Sequence, residues 1–362
     1  MTYNTDGTGA PLLNGPTEFG PVHPDCTLFT TAPVRVCEPY DLLFCVRGST
    51  TGRMNWADRR YALGRGVAAI RGPSVLETRY VRYALEAGLP SLLARAGGGT
   101  FPNLTQGDIA SFEIPWPDSR RKIGAVLAAY DELIENNLDR IRIVEEMAAA
   151  LYREWFVDYR FPGHEGVAVV ESPLGAIPNG WTVGPVAAHV RRLGAGRTRK
   201  PDEVAPLGRV LIVDQSRSDE LHFHDDEPAV LASVRSPVAT FGDHTCRMRL
   251  VVEPFSVGPN VVVFVSSDER PTSYVFRILQ GLVETREYKR HWSELSAKEL
   301  PWADPRLCEM YAAATDPMTA MAWHLRHQNS KLRAVRDLLL PRLVSGDLDV
   351  SNLDINMESF TT

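Results

Sequence analysis

Three short stretches in the first third of this 362-residue chain combine the residue types that contact phosphates and base edges: Arg47-Gly48-Ser49-Thr50-Thr51-Gly52-Arg53, Gly64-Arg65-Gly66 and Gly97-Gly98-Gly99-Thr100-Phe101-Pro102-Asn103. Glycine lets a backbone approach a ligand closely, Ser and Thr hydroxyls donate to phosphate oxygens, and an Arg guanidinium spans a phosphate or the edge of guanine. Arg191 to Lys200 carries five positive charges, no negative ones and two glycines. The candidate DNA contacts are therefore Arg47, Ser49, Thr50, Thr51, Arg53, Arg65, Thr100, Asn103, Arg191, Arg192, Arg197, Arg199, Lys200 and Arg235. Taken singly, each loop also reads as ordinary turn chemistry, and the basic run as a solvated surface.

Other chemistry finds little support. No Asn-Pro-Pro-aromatic or Asp-Pro-Pro-aromatic tetrapeptide and no GxxxxGK[ST] loop occurs, so amino-methyl transfer and nucleotide-driven translocation have no motif here. Asp202 with Glu287 and Lys289 could form an acidic pair plus lysine of nuclease type, but the separation in sequence is long. His222, His224, Asp225 and Asp226, and the His324/His327 pair, have metal-ligand spacings that surface or capping histidines explain as well. No catalytic, cofactor or metal residues are assigned.

The elements that must position these loops are two long helices. Pro115 to Tyr159 reads as one helix, capped by Asp118 or Ser119, with a heptad seam through Ile123, Leu127, Tyr130, Ile134, Asn137, Ile141, Val144, Ala148, Leu151 and Trp155. Its roughly 40 residues would span about 60 Å. Glu299-Leu300-Pro301-Trp302-Ala303-Asp304 repeats Glu113-Ile114-Pro115-Trp116-Pro117-Asp118, and a second helical stretch follows. The chain is a tandem duplication. The second stretch predicts a short helix from Pro305, a break at Pro317, and a main helix from Met318 to Val344, with Met321, Leu325, Leu332, Val335 and Leu339 on one side. Two apolar seams in one chain pair most simply as antiparallel helices.

Around the helices lie two β-rich regions. Thr27 to Thr31, Leu42 to Val46, Val67 to Ile70 and Val261 to Val265 read as strands, and Thr78 to Ala94 as a helix. Glu227-Pro228 and Val234-Arg235 echo Glu38-Pro39 and Val46-Arg47. The expected class is α+β, with two β-rich domains joined by two long antiparallel coiled-coil-like helices in a tandem pseudo-repeat. The segments are 1–113, the helix of 114–160, 161–300, the helix of 301–346, and a flexible tail over 347–362. A hydrophobic content of 44%, a charged content of 23% and the lack of a long apolar window or leader suggest a cytoplasmic chain without membrane contact. Five cysteines without a CxxC pair fit reduced thiols. A net charge of −6 confines any nucleic-acid contact to local patches.

The run Ala149 to Glu165 (AALYREWFVDYRFPGHE), Ile114-Pro115-Trp116-Pro117 with Arg121-Lys122-Ile123 and Ile134-Glu135-Asn136-Asn137, and Leu339 to Leu348 (LLPRLVSGDL) resemble the specificity subunit of type I restriction-modification systems. Asp41 to Phe44 with Arg47-Gly48-Ser49, Thr100 to Asn103, and Ile177 to Trp181 extend the resemblance through both β-rich regions. It implies two target-recognition domains, each reading half of a split duplex DNA sequence, with the helices setting a gap of at most roughly 17 base pairs. It also implies two methyltransferase subunits docked on the helices, here through Arg121, Asn137, Tyr152, Trp155 and Phe156, and a restriction/translocase subunit. S-adenosylmethionine, ATP and Mg would belong to those partners, and this chain would be non-catalytic.

Two features depart from the family pattern. The first β-rich region would lack roughly one opening strand, and Met-Ala-Trp-His stands in the second helix where the first has Ile-Glu-Asn-Asn. The alternative reading is a coiled-coil scaffold whose β-rich domains bind something other than DNA.

Overall fold

The apolar run Leu42-Leu43-Phe44-Cys45 has no polar side chain because both of its faces are covered. Leu42 and Phe44 face a helix through Val81, Leu85 and Leu92, while Leu43 and Cys45 pack on Leu13, Tyr61 and Leu63. This strand is the centre of the first unit in a computed structural model that describes residues 3–97, 102–216, 218, 220–285 and 290–357.

In chain order the elements are β1 (Tyr3–Asn4), β2 (Ala10–Leu13), β3 (Phe29–Thr30), β4 (Leu42–Cys45), β5 (Met54–Trp56), β6 (Ala62–Leu63), β7 (Val67–Ile70), α1 (Val75–Leu93), α2 (Gln106–Ala110) and α3 (Arg120–Tyr152). There follow β8 (Val169–Ser172), β9 (Gly175–Pro178), β10 (Thr182–Pro185), α4 (Val186–His189), β11 (Val190–Arg192), β12 (Val210–Val213), β13 (His222–His224), β14 (Val238–Gly242), β15 (Met248–Val251), β16 (Phe255–Val257) and β17 (Val261–Ser266). The last are α5 (Thr272–Leu279), α6 (Trp292–Ser296), β18 (Glu299–Trp302) and α7 (Pro305–Ser345). Residues 1–135 with 335–362 form one unit and 136–334 the other, so each long helix contributes to both.

The duplication is a repeat of topology. In the first unit β4 lies between β5 and β7, antiparallel to both, and β2 pairs antiparallel with β3 and parallel with β6. In the second unit β14 lies between β15 and β17, and β12 pairs antiparallel with β13 and parallel with β16. β2 to β7 therefore correspond one for one to β12 to β17, and α1 to α5. Among the described residues no strand stands beside β7 as β11 stands beside β17. The counterpart of Val46-Arg47 is Asp243-His244, at the end of β14, and not Val234-Arg235. Short shared dipeptides misplaced the repeat because topology, not side-chain identity, is what the two units share.

The helices run antiparallel within each unit. In the first, Ile123 and Leu127 pack with Leu340, Leu343 and Val344; in the second, Ile141 packs with Ala322 and Leu325, and Tyr311 donates to Ala148 O (3.1 Å). α3 begins five residues later than expected, since Pro115 and Pro117 hold the entry extended. It ends in a π-helical turn, Arg153–Val157, that turns Phe156 inward against Trp181, Tyr274 and Tyr311.

α7 is continuous through Pro317, contrary to the expected break. An interior proline costs about 3 kcal/mol, whereas each large side chain that α7 buries, among them Tyr311, Trp323 and Leu325, contributes about 1.5–3 kcal/mol. The stripe facing inward runs through buried Ala322, Leu325, Asn329, Leu340 and Leu343 and half-buried Leu332 and Arg336. Met321 and Val335, one residue round the helix from it, are exposed, which corrects their placement in the seam. The expected flexible tail is docked in its first part: Val350 is buried, and Lys122 Nζ donates to Ser351 O and Leu353 O.

Two polar contacts punctuate the seam. Asn137 Nδ2 donates to Asn329 Oδ1 (2.9 Å), both buried. Asp131 accepts from Arg82 (2.5 Å), Tyr83 (2.6 Å) and Arg336 (2.6 Å), tying α1, α3 and α7 together. Burial alone would raise the Asp131 pKa, but the two guanidinium groups outweigh it and hold the carboxyl below its usual range.

Asn137→Leu is expected to cost about 1–3 kcal/mol in urea denaturation by stranding Asn329, and Asn137→Leu/Asn329→Leu to recover most of it. Asp131, ionised more readily folded than unfolded, adds stability that is complete above its unfolded pKa of about 3.9 and is lost as pH falls through the lower folded value. Asp131→Asn should cost about 3–5 kcal/mol at neutral pH, and the gap to wild type should close in acid.

Candidate nucleic-acid interface

The backbone groups at the end of β4 are satisfied by three loops at once. Cys45 N–H donates to Arg53 O (2.8 Å) and Gly52 N–H to Cys45 O (2.9 Å), closing the 46–53 hairpin. Val46 N–H donates to Gly66 O (2.9 Å), and Leu104 N–H to Val46 O (2.9 Å). Gly97 and Asn103 exchange both backbone bonds (3.1 and 2.8 Å), and Thr51 Oγ1 donates to Gly48 O (2.8 Å) and Pro102 O (2.9 Å). Three loops singled out separately are thus one site.

The second unit has the same four bonds at the end of β14. Gly242 N–H donates to Arg247 O (2.7 Å), Cys246 N–H to Gly242 O (2.8 Å), Asp243 N–H to Asn260 O (2.8 Å), and His291 N–H to Asp243 O (2.9 Å). Asp243 adds Oδ1, which accepts from the His291 and Trp292 N–H groups (3.0 and 2.8 Å). His244, Thr245, Arg247 and Arg290 therefore stand where Arg47, Ser49, Thr50, Arg53 and Asn103 stand in the first unit.

The individual candidates divide. Arg47, Ser49, Thr50 and Arg65 are exposed on the first loop cluster. Arg53, though exposed, donates to Pro16 O (3.1 Å) and Phe19 O (2.8 Å), and Thr51 gives its hydroxyl to the loop itself, so both help to build the loop. Gly52 needs its φ of +94°, and Gly64 and Gly66 press on the backbone at Asn14, so these glycines are there for packing. Thr100 lies outside the described residues, as do Glu287 and Lys289 of the acidic-pair reading.

In the second unit Arg191 and Arg192 lie on β11, with Arg192 over Trp292 (5.8 Å), and Lys200 is exposed. Arg197 pairs with Glu203, and Arg199 with Asp226 (2.6 Å). The Lys200 N–H and then Arg197 hold the Glu203 carboxyl below its usual range, and Arg199 does the same to Asp226. Two of the five positive charges of the basic run are therefore neutralised, by acids that lie beyond it in sequence. Arg235 is exposed at the tip of a tight turn closed by Ser233 and Ser236 (3.1 Å each way).

Of the docking candidates, Arg121 is exposed and Tyr152 and Trp155 are half-buried around Tyr311. Asn137 and Phe156 are interior, at 7% and 5% exposure, so neither offers a partner a surface. Ile143, Met147, Met310 and Met321 are exposed apolar side chains on the helices of the second unit. His224 uses both ring nitrogens internally, with Ser256 Oγ (2.9 Å) and the Asp226 N–H (3.1 Å). Among the described residues no group of three or more His, Cys, Asp and Glu is placed to hold a metal ion.

Residues 38–145, which include the first loop cluster and most of α3, match the family described as type I restriction modification DNA specificity domain. Through that stretch the chain is similar to type I restriction-modification specificity subunits. It is 34% identical over 137 residues to the MjaX type I restriction specificity subunit of Methanocaldococcus jannaschii, covering 37% of this chain and 32% of that one. It is 24% identical over 284 residues to the MjaIX specificity subunit of the same organism, covering 71% and 66%. The chain thus spans about a third of the first relative and just under two thirds of the second. A type I restriction-modification S subunit from M. genitalium shares the fold, with a TM-score of 0.59 at 16% identity over 96% of this chain and 91% of that one.

The second cluster was missed because its residues differ from the first: Gly-Asp-His-Thr-Cys-Arg stands where Cys-Val-Arg-Gly-Ser-Thr-Thr-Gly-Arg stands in the first unit. Gly66→Ala would press a methyl against Asn14 O and should cost about 1–3 kcal/mol, while Arg65→Ala should stay within about 0.5 kcal/mol by the same urea titration. Equal effects would show that the loop is not held by this contact.

Proposed function

We propose that this chain is the DNA-recognition subunit of a type I restriction-modification assembly, with each stapled loop cluster reading one part of a split duplex target. The observation that carries the reading is the recurrence of the same four backbone bonds in both units, each presenting polar and basic side chains. Arg47, Ser49, Thr50 and Arg65 contact one half-sequence, and His244, Thr245 and Arg290 the other. Arginine suits guanine edges and phosphates, and short hydroxyls suit either phosphate or base. The chain itself is non-catalytic. Two methyltransferase subunits and a restriction/translocase subunit dock on exposed parts of α3 and α7, bringing S-adenosylmethionine, ATP and Mg.

The test is mapping of methylated adenines in cells that carry this chain with its neighbouring methyltransferase. The expected result is one split motif with a constant gap that vanishes without the chain. Arg47→Gln with Thr50→Val should relax or abolish only one half, and His244→Ala with Arg290→Ala only the other, the removal of each base contact weakening discrimination by about 1–3 kcal/mol. Unchanged motifs in both variants would overturn the residue assignment. Methylation indifferent to the chain would favour the scaffold reading.

A further inference from the structure

Residues 182–193 complete two sheets of the second unit. β10 pairs antiparallel with β18, and β11 pairs antiparallel with β17, where Leu193 N–H donates to Val263 O (2.8 Å). Between the two strands Val186 enters the core, its N–H donating to Lys298 O (2.9 Å), and His189 lies on the Trp302 indole (4.0 Å between ring centres). The Trp302 indole N–H donates to Gly184 O (3.0 Å), and Trp302 is 0% exposed.

The first unit has the same receiving groups, open. Cys45 pairs with Val67 as Gly242 pairs with Val261, so Ala69 is the counterpart of Val263. Val46 N–H bonds toward Gly66 O, and by the alternation of an antiparallel pair the N–H and C=O of Ala69 point away from β4. Ala69 is exposed, and no described residue pairs with that edge. Trp116, the counterpart of Trp302, is 45% exposed; Tyr80 and Arg120 lie against its ring, and no described residue accepts from its indole N–H. Among the described residues 113–116 have no strand partner either. A bare sheet edge and a bare indole therefore occur at the two places that one segment covers in the second unit.

We propose that the β7 edge and the Trp116 indole are a docking site for a strand–turn–strand segment of a second polypeptide. The segment has the chemistry of residues 182–193: extended backbone to pair with Ala69, an aliphatic side chain opening the turn, and a glycine beside the indole. The matching segment of this chain is bonded within its own unit, and Tyr3 and Asn4 are paired with β3, so neither is free to fill the site. An added strand gains main-chain bonds at the edge and shields the tryptophan. The proposal stands apart from the DNA-recognition reading.

The experiment adds a synthetic peptide of residues 182–193, which contains no tryptophan, to the full chain and follows indole fluorescence. The expected result is saturable binding with a blue shift that Trp116→Phe does not show. The same peptide N-methylated at the amide of Leu193 should bind about tenfold more weakly, because it cannot donate to Ala69 O. Ala69→Pro should weaken the unmodified peptide similarly, since the ring obstructs the open edge while the ladder to β4 is kept. No shift, or equal binding of a scrambled peptide, would overturn the site. The source is read on protein isolated from its own cells, by intact mass and by acrylamide quenching of wild type against Trp116→Phe. A second polypeptide bound with Trp116 shielded is the expected result. Shielding by further residues of the same chain, or a Trp116 left open to the quencher, would overturn the second polypeptide.

Discussion

The backbone at the end of each central strand must bond somewhere once its neighbours in the sheet run out, and the rest of each unit is arranged around how it does so. At β4 the Cys45 and Val46 groups take up Gly52, Arg53, Gly66 and Leu104, and at β14 the Gly242 and Asp243 groups take up Cys246, Arg247, Asn260 and His291. Segments some fifty residues apart in the chain are thereby held at one strand end. Because the bonds are main chain to main chain, side chains at the loop tips can change freely while the scaffold persists. That separation of frame from tip is visible here within one chain, where Val46 and Asp243 occupy the same place.

The helix pair follows a related logic with side chains. An apolar seam alone slides at little cost, whereas one-turn slippage would leave Asn137, Asn329 and the Asp131 carboxylate buried without partners. Asp131 also bonds Arg82 and Tyr83 of α1, so the register of the helices is coupled to the position of the first sheet through the helix that covers it. At the other end of α3 the π-helical turn places Phe156 among Trp181, Tyr274 and Tyr311, an aromatic anchor for the second unit.

Charge is distributed by the fold in ways that a count along the chain does not show. The most basic run, residues 191–200, has two of its arginines neutralised by Glu203 and Asp226. Arg247, Arg249, Arg277 and Arg326 are scattered over eighty positions of sequence and meet in one cleft.

The sequence by itself determined the α+β class, the duplication and the antiparallel pairing of two long helices, because heptad spacing, repeated Ile/Leu-Pro-Trp entries and apolar runs between turn residues are local signals. Val67 to Ile70 and the α3 seam are legible for that reason. Only the tertiary structure decided that three loops meet at one strand end, that Arg53 and Thr51 bond the backbone there, that Pro317 is carried through α7, and that His244 to Arg247 stand in for the first hairpin. Each of those depends on what lies opposite in space: a carbonyl from a distant loop, a buried face large enough to outweigh a proline, a strand pairing that side-chain identity does not record.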